Sequence, residues 1–339
     1  MAKNVSTVNN KRHNLYQEIP LSTPYMLFID PSNVCNFKCR FCAMSTGEKQ
    51  SYEKQTMPFE LYKKIIDDLS DFPERLKMIR LAAQGEPLLN THFTDMVRYA
   101  KSKGVCDWIE TVTNGSRLTP ELNDELAASG LDRIRISVEA PTEKGYKETA
   151  GVDIDMEKFT ENIRDLYEKC QGRCEIYIKT VDIALPDEKS KQDFFNRFDN
   201  ICDKIFIEKV IPIWSDFDEL NDRYDIDDHG GLYGQEVRNI QICPLPFYSA
   251  VINPDGIVTV CCPDWKRRLV IGDLNYESIK EIWNGQKLHH LWMEFAAGRK
   301  NDCEACRKCL APNYNCHDYL DDHSELILNN LKMRAEVKS

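Results

Sequence analysis

The chain has 339 residues, 42% apolar and 29% charged, and a formal net charge of -11. That length exceeds one ordinary core and favours one large domain plus a smaller one. The acidic balance argues against a nucleic-acid backbone as partner, and no apolar run approaches the ~20 residues of a membrane span.

The first 23 residues form an N-terminal arm without an apolar signal core, so a cytoplasmic protein is expected. From 24 to 212 strand and helix alternate. "YMLFID" is a short apolar strand, and "PFELYKKIIDDL" is a helix with Leu61, Ile65 and Leu69 on one face and Pro58 in its first turn. "LKMIRLAA" is the second strand. "HFTDMVRYAKSKG" then aligns Phe93, Met96, Val97 and Ala100 and stops at Gly104. "WIETVTNG" is the third strand, followed by a helix with Thr119 as N-cap, Pro120 first and Gly130 past its end. "DRIRISVEA" alternates Ile134, Ile136 and Val138, and "MEKFTENIRDLYEKC" places Phe159, Ile163, Leu166 and Tyr167 at helical spacing. "CEIYIKTVDIA" is strand five. A short helix around Phe194, Phe195 and Phe198 leads to strand six, "KIFIEKVIPI".

Six such units imply a parallel sheet with helices outside, open or curled into a barrel, with sites at the C-terminal strand ends. Residues 213–240 are an acidic linker or lid. Trp214, Asp216 and Asp218 are candidates to meet substrate hydroxyls or take a proton, although ordinary linker residues are the preferred reading. The unit 241–318 opens with a hairpin that turns at Asn253–Gly256, and 319–339 reads as a closing helix. His289 and His290 belong to packing or surface.

Fourteen cysteines in a reducing compartment point to metal rather than disulfides. Cys106, Cys170, Cys174 and Cys202 stand apart and read as small core hydrophobes. Cys35, Cys39 and Cys42 form C-x3-C-x2-C, with no fourth ligand close by. Three thiolates suit a [4Fe–4S] cube with one iron left open, with zinc or plain packing as the alternative. Cys243 and Cys261 flank the hairpin, and Cys303, Cys306 and Cys309 follow at two-residue gaps. Four thiolates from these suit zinc or a fully ligated [4Fe–4S] cluster, which spacing does not separate.

The first motif, with the aromatic Phe41 before Cys42, resembles the radical S-adenosylmethionine (SAM) superfamily. "QGEPLL" (84–89), "TNG" (113–115) and "RISVEA" (135–140) are similar to family elements in the family's order, with Gln84 in place of a glycine. The resemblance covers about 24–212. It implies a partial (β/α)6 TIM-like barrel, followed by a small α+β auxiliary-cluster domain. It also implies that Cys35, Cys39 and Cys42 bind three irons while AdoMet chelates the fourth. Gly85 and Glu86 would meet the methionine amine, and Phe41 the adenine. Ser137 and Glu139 would meet the ribose or carboxylate and Lys179 the carboxylate, with Asn114 a further binding candidate. Reductive cleavage would yield a 5′-deoxyadenosyl radical, and flavodoxin or ferredoxin is the expected electron donor.

The C-terminal unit resembles SPASM or twitch auxiliary-cluster domains. It departs from the full SPASM pattern, so one auxiliary [4Fe–4S] cluster is expected on Cys243, Cys261, Cys306 and Cys309. Cys303 and Cys262 are alternative ligands, and Cys316 remains open. Cys261 and Cys262 are expected on opposite faces of one strand.

Three readings follow. One is a radical enzyme oxidising or epimerising a small polar molecule such as a sugar, nucleotide sugar or aminocyclitol. Compact relatives include an aminocyclitol dehydrogenase, and only about 23 residues precede strand one, too few for a peptide-recognition domain. The second is a radical enzyme acting on a peptide or protein side chain. The third is a non-enzymatic iron–sulfur or zinc protein, against which "QGEPLL" and Phe41 argue.

Overall fold

The computed structural model describes residues 14–45, 48, 50–214, 230–315 and 318–338. Asp216, Asp218 and Cys316 lie outside the described residues.

Six parallel strands follow in chain order: β1 (Met26–Ile29), β2 (Met78–Arg80), β3 (Ile109–Thr113), β4 (Arg133–Ser137), β5 (Glu175–Val181) and β6 (Lys204–Glu208). They form the open side of a partial barrel. The pleat sorts their side chains. Leu27, Ile79, Ile109, Ile134, Ile136, Ile176, Ile178 and Ile205 are buried on the helix side. The residues in register with one another on the other face are Phe28, Arg80, Glu110, Arg133 and Glu175, then Arg135 with Tyr177, and Ser137 with Lys179. Apolar residues thus cover the helix-facing side, and a charged set lines the lumen.

The outer helices are α1 (Phe59–Asp68), α2 (Phe93–Lys103), α3 (Pro120–Ala128), α4 (Glu143–Ala150), α5 (Met156–Cys170) and α6 (Glu188–Phe198). Their caps follow the sequence signals: Thr119 accepts from the Leu122 amide at 3.2 Å, and Gly104 ends α2 in the left-handed region at φ 62°. Two expectations need adjusting. In α1 the buried residues are Tyr62, Ile65 and Ile66, while Leu61 is half-buried and Pro58 sits at the N-cap. Helix α4 was not expected, because its single glycine and polar residues carry a weak apolar stripe. It forms through a Thr142 cap on the Gly145 amide (3.1 Å) and buries Tyr146, Thr149 and Ala150.

The C-terminal unit does not stand apart. Strand β7 (Ser249–Ile252) pairs in parallel with β1, Met26 opposite Ser249 through Ile29 opposite Ile252. Strands β8 (Ile257–Thr259) and β9 (Val270–Asp273) add on antiparallel, giving one nine-stranded sheet in the order β6-β5-β4-β3-β2-β1-β7-β8-β9. The expected turn is present, with Gly256 at φ 88°. Helices α7 (Ile279–Trp283), α8 (Gln286–Ala296) and α9 (Ser324–Lys338) close this end. Trp283 and Trp292 meet edge to face at 5.3 Å between ring centres. Trp283 Nε1 donates to the Leu21 carbonyl (3.1 Å) and Trp292 Nε1 to the Pro246 carbonyl (2.6 Å), tying the N-terminal arm and the hairpin to the helices. Cys106, Cys170, Cys174 and Cys202 are buried in the core. Among the described residues no helix is long and apolar enough to cross a membrane.

Glu110, fully buried on β3, is the hub of the lumen charges. Arg80 Nε donates to it at 2.6 Å, Arg133 Nη1 at 3.1 Å, and Arg135 Nη2 lies at 3.5 Å. Burial works against its charge, but Arg80, Arg135 and Arg133 outweigh it and hold the carboxyl at about 2, below the usual 4.5. A depressed carboxyl contributes stability above its unfolded value that is lost as pH falls through the folded one. Glu110→Gln leaves the partly buried Arg80 and Arg135 without their carboxylate and Arg133 with Glu175 alone, and is expected to cost about 3–5 kcal/mol in denaturant unfolding. In the same measurement the wild type loses stability between pH 4.5 and about 2, and the variant loses less over that interval.

Candidate active site and auxiliary metal centre

The segment after β1 carries the first thiol set and is fixed from three sides. Asn33 accepts from the Gln55 amide (2.7 Å) and donates to the Glu53 carbonyl (2.9 Å). The Glu86 amide donates to the Val34 carbonyl at 2.8 Å. At Gly85 a Cβ would lie 2.1 Å from the Ser32 carbonyl oxygen and 2.5 Å from that of Val34, so only glycine lets the two main chains touch. On the far side the amides of Lys38 and Arg40 donate to the carbonyls of Ala150 and Thr149, at 2.8 and 2.9 Å. Those are the last carbonyls of α4, orphaned by the end of the helix. The unexpected helix therefore grips the chain on both sides of Cys39.

The other sequence-derived residues gather around this loop. The Glu86 carboxylate accepts from the Leu88 amide (3.0 Å), the Thr113 hydroxyl (2.6 Å) and the Asn114 amide (2.7 Å). It is thus a clasp between the segments after β2 and β3, and what this element leaves for an incoming amine is main chain. Asn114 donates to Asn36 Oδ1 at 2.9 Å and reaches the Cys35 thiol. Glu139 is buried and bonded to the Cys39 thiol. Lys179 pairs with Glu208, whose other oxygen accepts from the Tyr233 hydroxyl at 3.2 Å, so this lysine is already partnered. Ser137 ends β4 level with Lys179. Phe41 is half-buried and packs with Met44, Val210 and Trp214 against Ala43 and Trp265, joining the cysteine loop, the exit of β6 and the C-terminal unit. Trp214 is thereby an aromatic packing residue.

Burial governs the titration of the group. It pushes Cys39 up, with Glu139 and the other two thiols adding to it, and Cys42 up to about 12. Burial also raises Asp30, Glu86 and Glu139, each to about 7. Three thiols beside the buried Glu139 carboxylate, Cys35 exposed and Cys39 and Cys42 half-buried, form a soft, electron-rich donor set that a cationic iron–sulfur cluster neutralises.

The second thiol set is more enclosed. Cys243, Cys261, Cys306 and Cys309 line one cavity together with Leu245, Phe295 and Lys300. Lys300, almost fully buried, is its one lining cation and lies 3.5 Å from the Cys309 carbonyl. Cys303 does not line the cavity and is hydrogen-bonded to Cys306. Cys262 is also outside it and faces the Arg80 charge in the lumen. Strand β8 ends at Thr259, so the turn beyond it, not strand alternation, separates Cys261 from Cys262. Among the described residues no three His, Cys, Asp or Glu side chains enclose a single metal ion. A cluster instead takes one thiolate per corner, which is the chemistry both donor sets fit.

Several participants carried no sequence signal. The single Tyr52 hydroxyl proton is shared between the Trp265 carbonyl (2.9 Å) and Gln84 Oε1 (3.1 Å), bridging the two thiol-bearing units. The carbonyls of α4 are invisible to any motif. Lys300 and Arg267 are marked only as cations near cysteines.

A partial barrel with a three-thiol loop at its mouth and a four-thiol cavity alongside has the donor chemistry of an iron–sulfur protein. Residues 29–188 match the model of the radical SAM superfamily and residues 243–310 that of the SPASM iron–sulfur cluster-binding domain. The chain thus carries a radical SAM domain followed by a C-terminal SPASM domain. A radical SAM domain binds a [4Fe–4S] cluster and S-adenosylmethionine, and a SPASM domain binds auxiliary iron–sulfur clusters. The chain is 25% identical over 304 residues to the tungsten-containing aldehyde ferredoxin oxidoreductase cofactor-modifying protein of Pyrococcus furiosus, covering 79% of this chain and 83% of that one. Its fold is similar to that of BtrN in complex with AdoMet and 2-DOIA (TM-score 0.54, 19% identity, 87% and 96% of the chains). It is also similar to Streptococcus suis SuiB bound to precursor peptide SuiA (TM-score 0.60, 14% identity, 88% and 73%).

Gly85→Ala forces two main-chain segments apart and is expected to destabilise the protein by about 1–3 kcal/mol. It should also lower iron uptake at the first thiol set while the cavity set still loads. Iron analysis and cluster absorbance after anaerobic reconstitution check this.

Proposed function

We propose that the chain is a radical SAM oxidoreductase that removes a hydrogen atom from a small polar substrate, oxidising an alcohol or epimerising a carbon. When bound, the reduced first cluster and AdoMet supply the 5′-deoxyadenosyl radical, and one auxiliary [4Fe–4S] cluster supplies a second electron-transfer centre. In this reading Cys35, Cys39 and Cys42 hold the first cluster, and Cys243, Cys261, Cys306 and Cys309 the second. Main chain around Gly85 and Glu86, with Asn114, orients the methionine end of AdoMet. Phe41, backed by Trp265, flanks the adenine. Ser137, Glu139 and the Lys179–Glu208 pair line the mouth between cofactor and substrate. Flavodoxin or ferredoxin is the proposed electron source.

The observation that carries this reading is the joining of both thiol sets through the β1–β7 ladder, with a charged lumen on the same sheet. A lumen walled by Arg80, Glu110, Arg135, Tyr177 and Lys179 suits a small polar molecule. The Pyrococcus furiosus relative, named for modifying a cofactor, supports a substrate of that kind.

Anaerobically reconstituted protein given dithionite and AdoMet should form 5′-deoxyadenosine. The triple variant Cys35→Ala/Cys39→Ala/Cys42→Ala should form none while retaining about half the iron. Stimulation of product formation by sugars, nucleotide sugars or aminocyclitols supports the reading. Stimulation by peptides alone would replace it with peptide modification, and no 5′-deoxyadenosine from well-loaded protein would end it.

A further inference from the structure

Resting on that reading, the lumen also indicates what chemical group the substrate carries. Around Glu110 the arginines are unequally satisfied. Arg80 bonds it directly, and Arg133 divides itself between Glu110 (3.1 Å) and Glu175 (2.7 Å). Arg135 is left with the 3.5 Å approach to Glu110, and its Nε is buried without a partner. Its neighbours in register are Val112 and Tyr177, so neither flanking strand sets a carboxylate directly beside it.

A second unsatisfied guanidinium comes from the C-terminal unit. Arg267 is 7% exposed, and Nη1 donates to Asp255 at 2.7 Å. The Tyr52 ring lies under the guanidinium at 3.6 Å, and the Tyr52 hydroxyl fixes the stack to Gln84 in the segment after β2. Nε and Nη2 are both buried without partners. These two atoms form one edge of the guanidinium fork, the edge that takes a carboxylate or phosphate through two parallel N–H bonds. Arg267 has a φ of 55°, the one positive value outside glycine among the described residues. Backbone in that region is costly and is retained where it aims a side chain. Buried donors on a cation are costly to leave unpaired, so three of them on two guanidiniums call for an acceptor that arrives from outside.

We propose that the lumen binds the anionic end of a phosphate- or carboxylate-bearing substrate, gripped by Arg135 from the floor and by the free edge of Arg267. Arg135 lies four residues below Glu139, about 13 Å along the strand. An anion at that depth leaves the rest of a sugar-sized molecule at the mouth, beside the three-thiol loop. A free aminocyclitol, itself cationic, would meet like charge there.

The test is calorimetric titration of the anaerobically reconstituted holoenzyme with four probes: inorganic pyrophosphate, galacturonate, galactose and an aminocyclitol. Saturable binding of pyrophosphate, galacturonate or both, and not of the neutral or cationic probe, is expected, and which anion binds separates phosphate from carboxylate. Arg135→Gln and Arg267→Gln should each weaken that binding at least tenfold, and Arg135→Lys less. Cluster absorbance and unfolding midpoints show whether a variant is folded. If the glutamine variants fail to load clusters, the wild-type probe comparison alone decides. No saturable anion binding, equal affinity in folded variants, or preference for galactose or the aminocyclitol would overturn the proposal. Such a failure leaves 5′-deoxyadenosine formation by the wild type intact, whereas failure of the underlying reading abolishes it.

Discussion

The short parallel ladder between β1 and β7 is the contact on which the molecule depends. Four residue pairs, Met26–Ser249 to Ile29–Ile252, join two units that the chain separates by more than two hundred residues. Strand β1 leads directly into the three-thiol loop. Strand β7 follows Cys243 and leads through the hairpin to Cys261. One hydrogen-bonded ladder thereby sets the spacing between both thiol sets. Hydrogen bonds of a central ladder are shielded from water by packing on both faces, and β7 is fully buried. Relative motion of the two centres would require this ladder to open.

A second constraint is charge. The protein carries a net -11, yet its lumen gathers Arg80, Arg133 and Arg135 about a single fully buried carboxylate. Burying charge is tolerated only where partners are close and well oriented. Glu110 meets that condition for Arg80 and, with Glu175, for Arg133, which leaves Arg135 the least compensated. The acidic overall balance and the arginine cluster inside the lumen are therefore separate features, and the overall sum conceals the second.

Much of the architecture was legible in the sequence. Alternating strands, the Thr119 cap and the Gly104 stop are local signals, and they appear where local physics places them. The C-x3-C-x2-C spacing and the hairpin turn were equally readable. Joining β7 to β1 was not, because strand pairing across such a separation leaves no local pattern. Helix α4 was missed because Gly145 and its charged neighbours dilute the apolar stripe, and its stability comes from packing of Tyr146 and Ala150. Within the site, residue type identified the thiols and the glutamate. It did not show that Glu86 spends its oxygens on Leu88, Thr113 and Asn114, nor that Cys262 faces Arg80 rather than the cavity. Those outcomes depend on geometry beyond the strand ends, where alternation no longer applies.

The grip of α4 on the cysteine loop has a consequence for divergence. Lys38 and Arg40 are held by amide-to-carbonyl bonds, which every residue except proline can supply. Mutational drift at these two positions is thus free to retune the charge and shape of the rim without loosening its anchorage. A lineage could acquire a new clientele there while its inherited chemistry stayed in place.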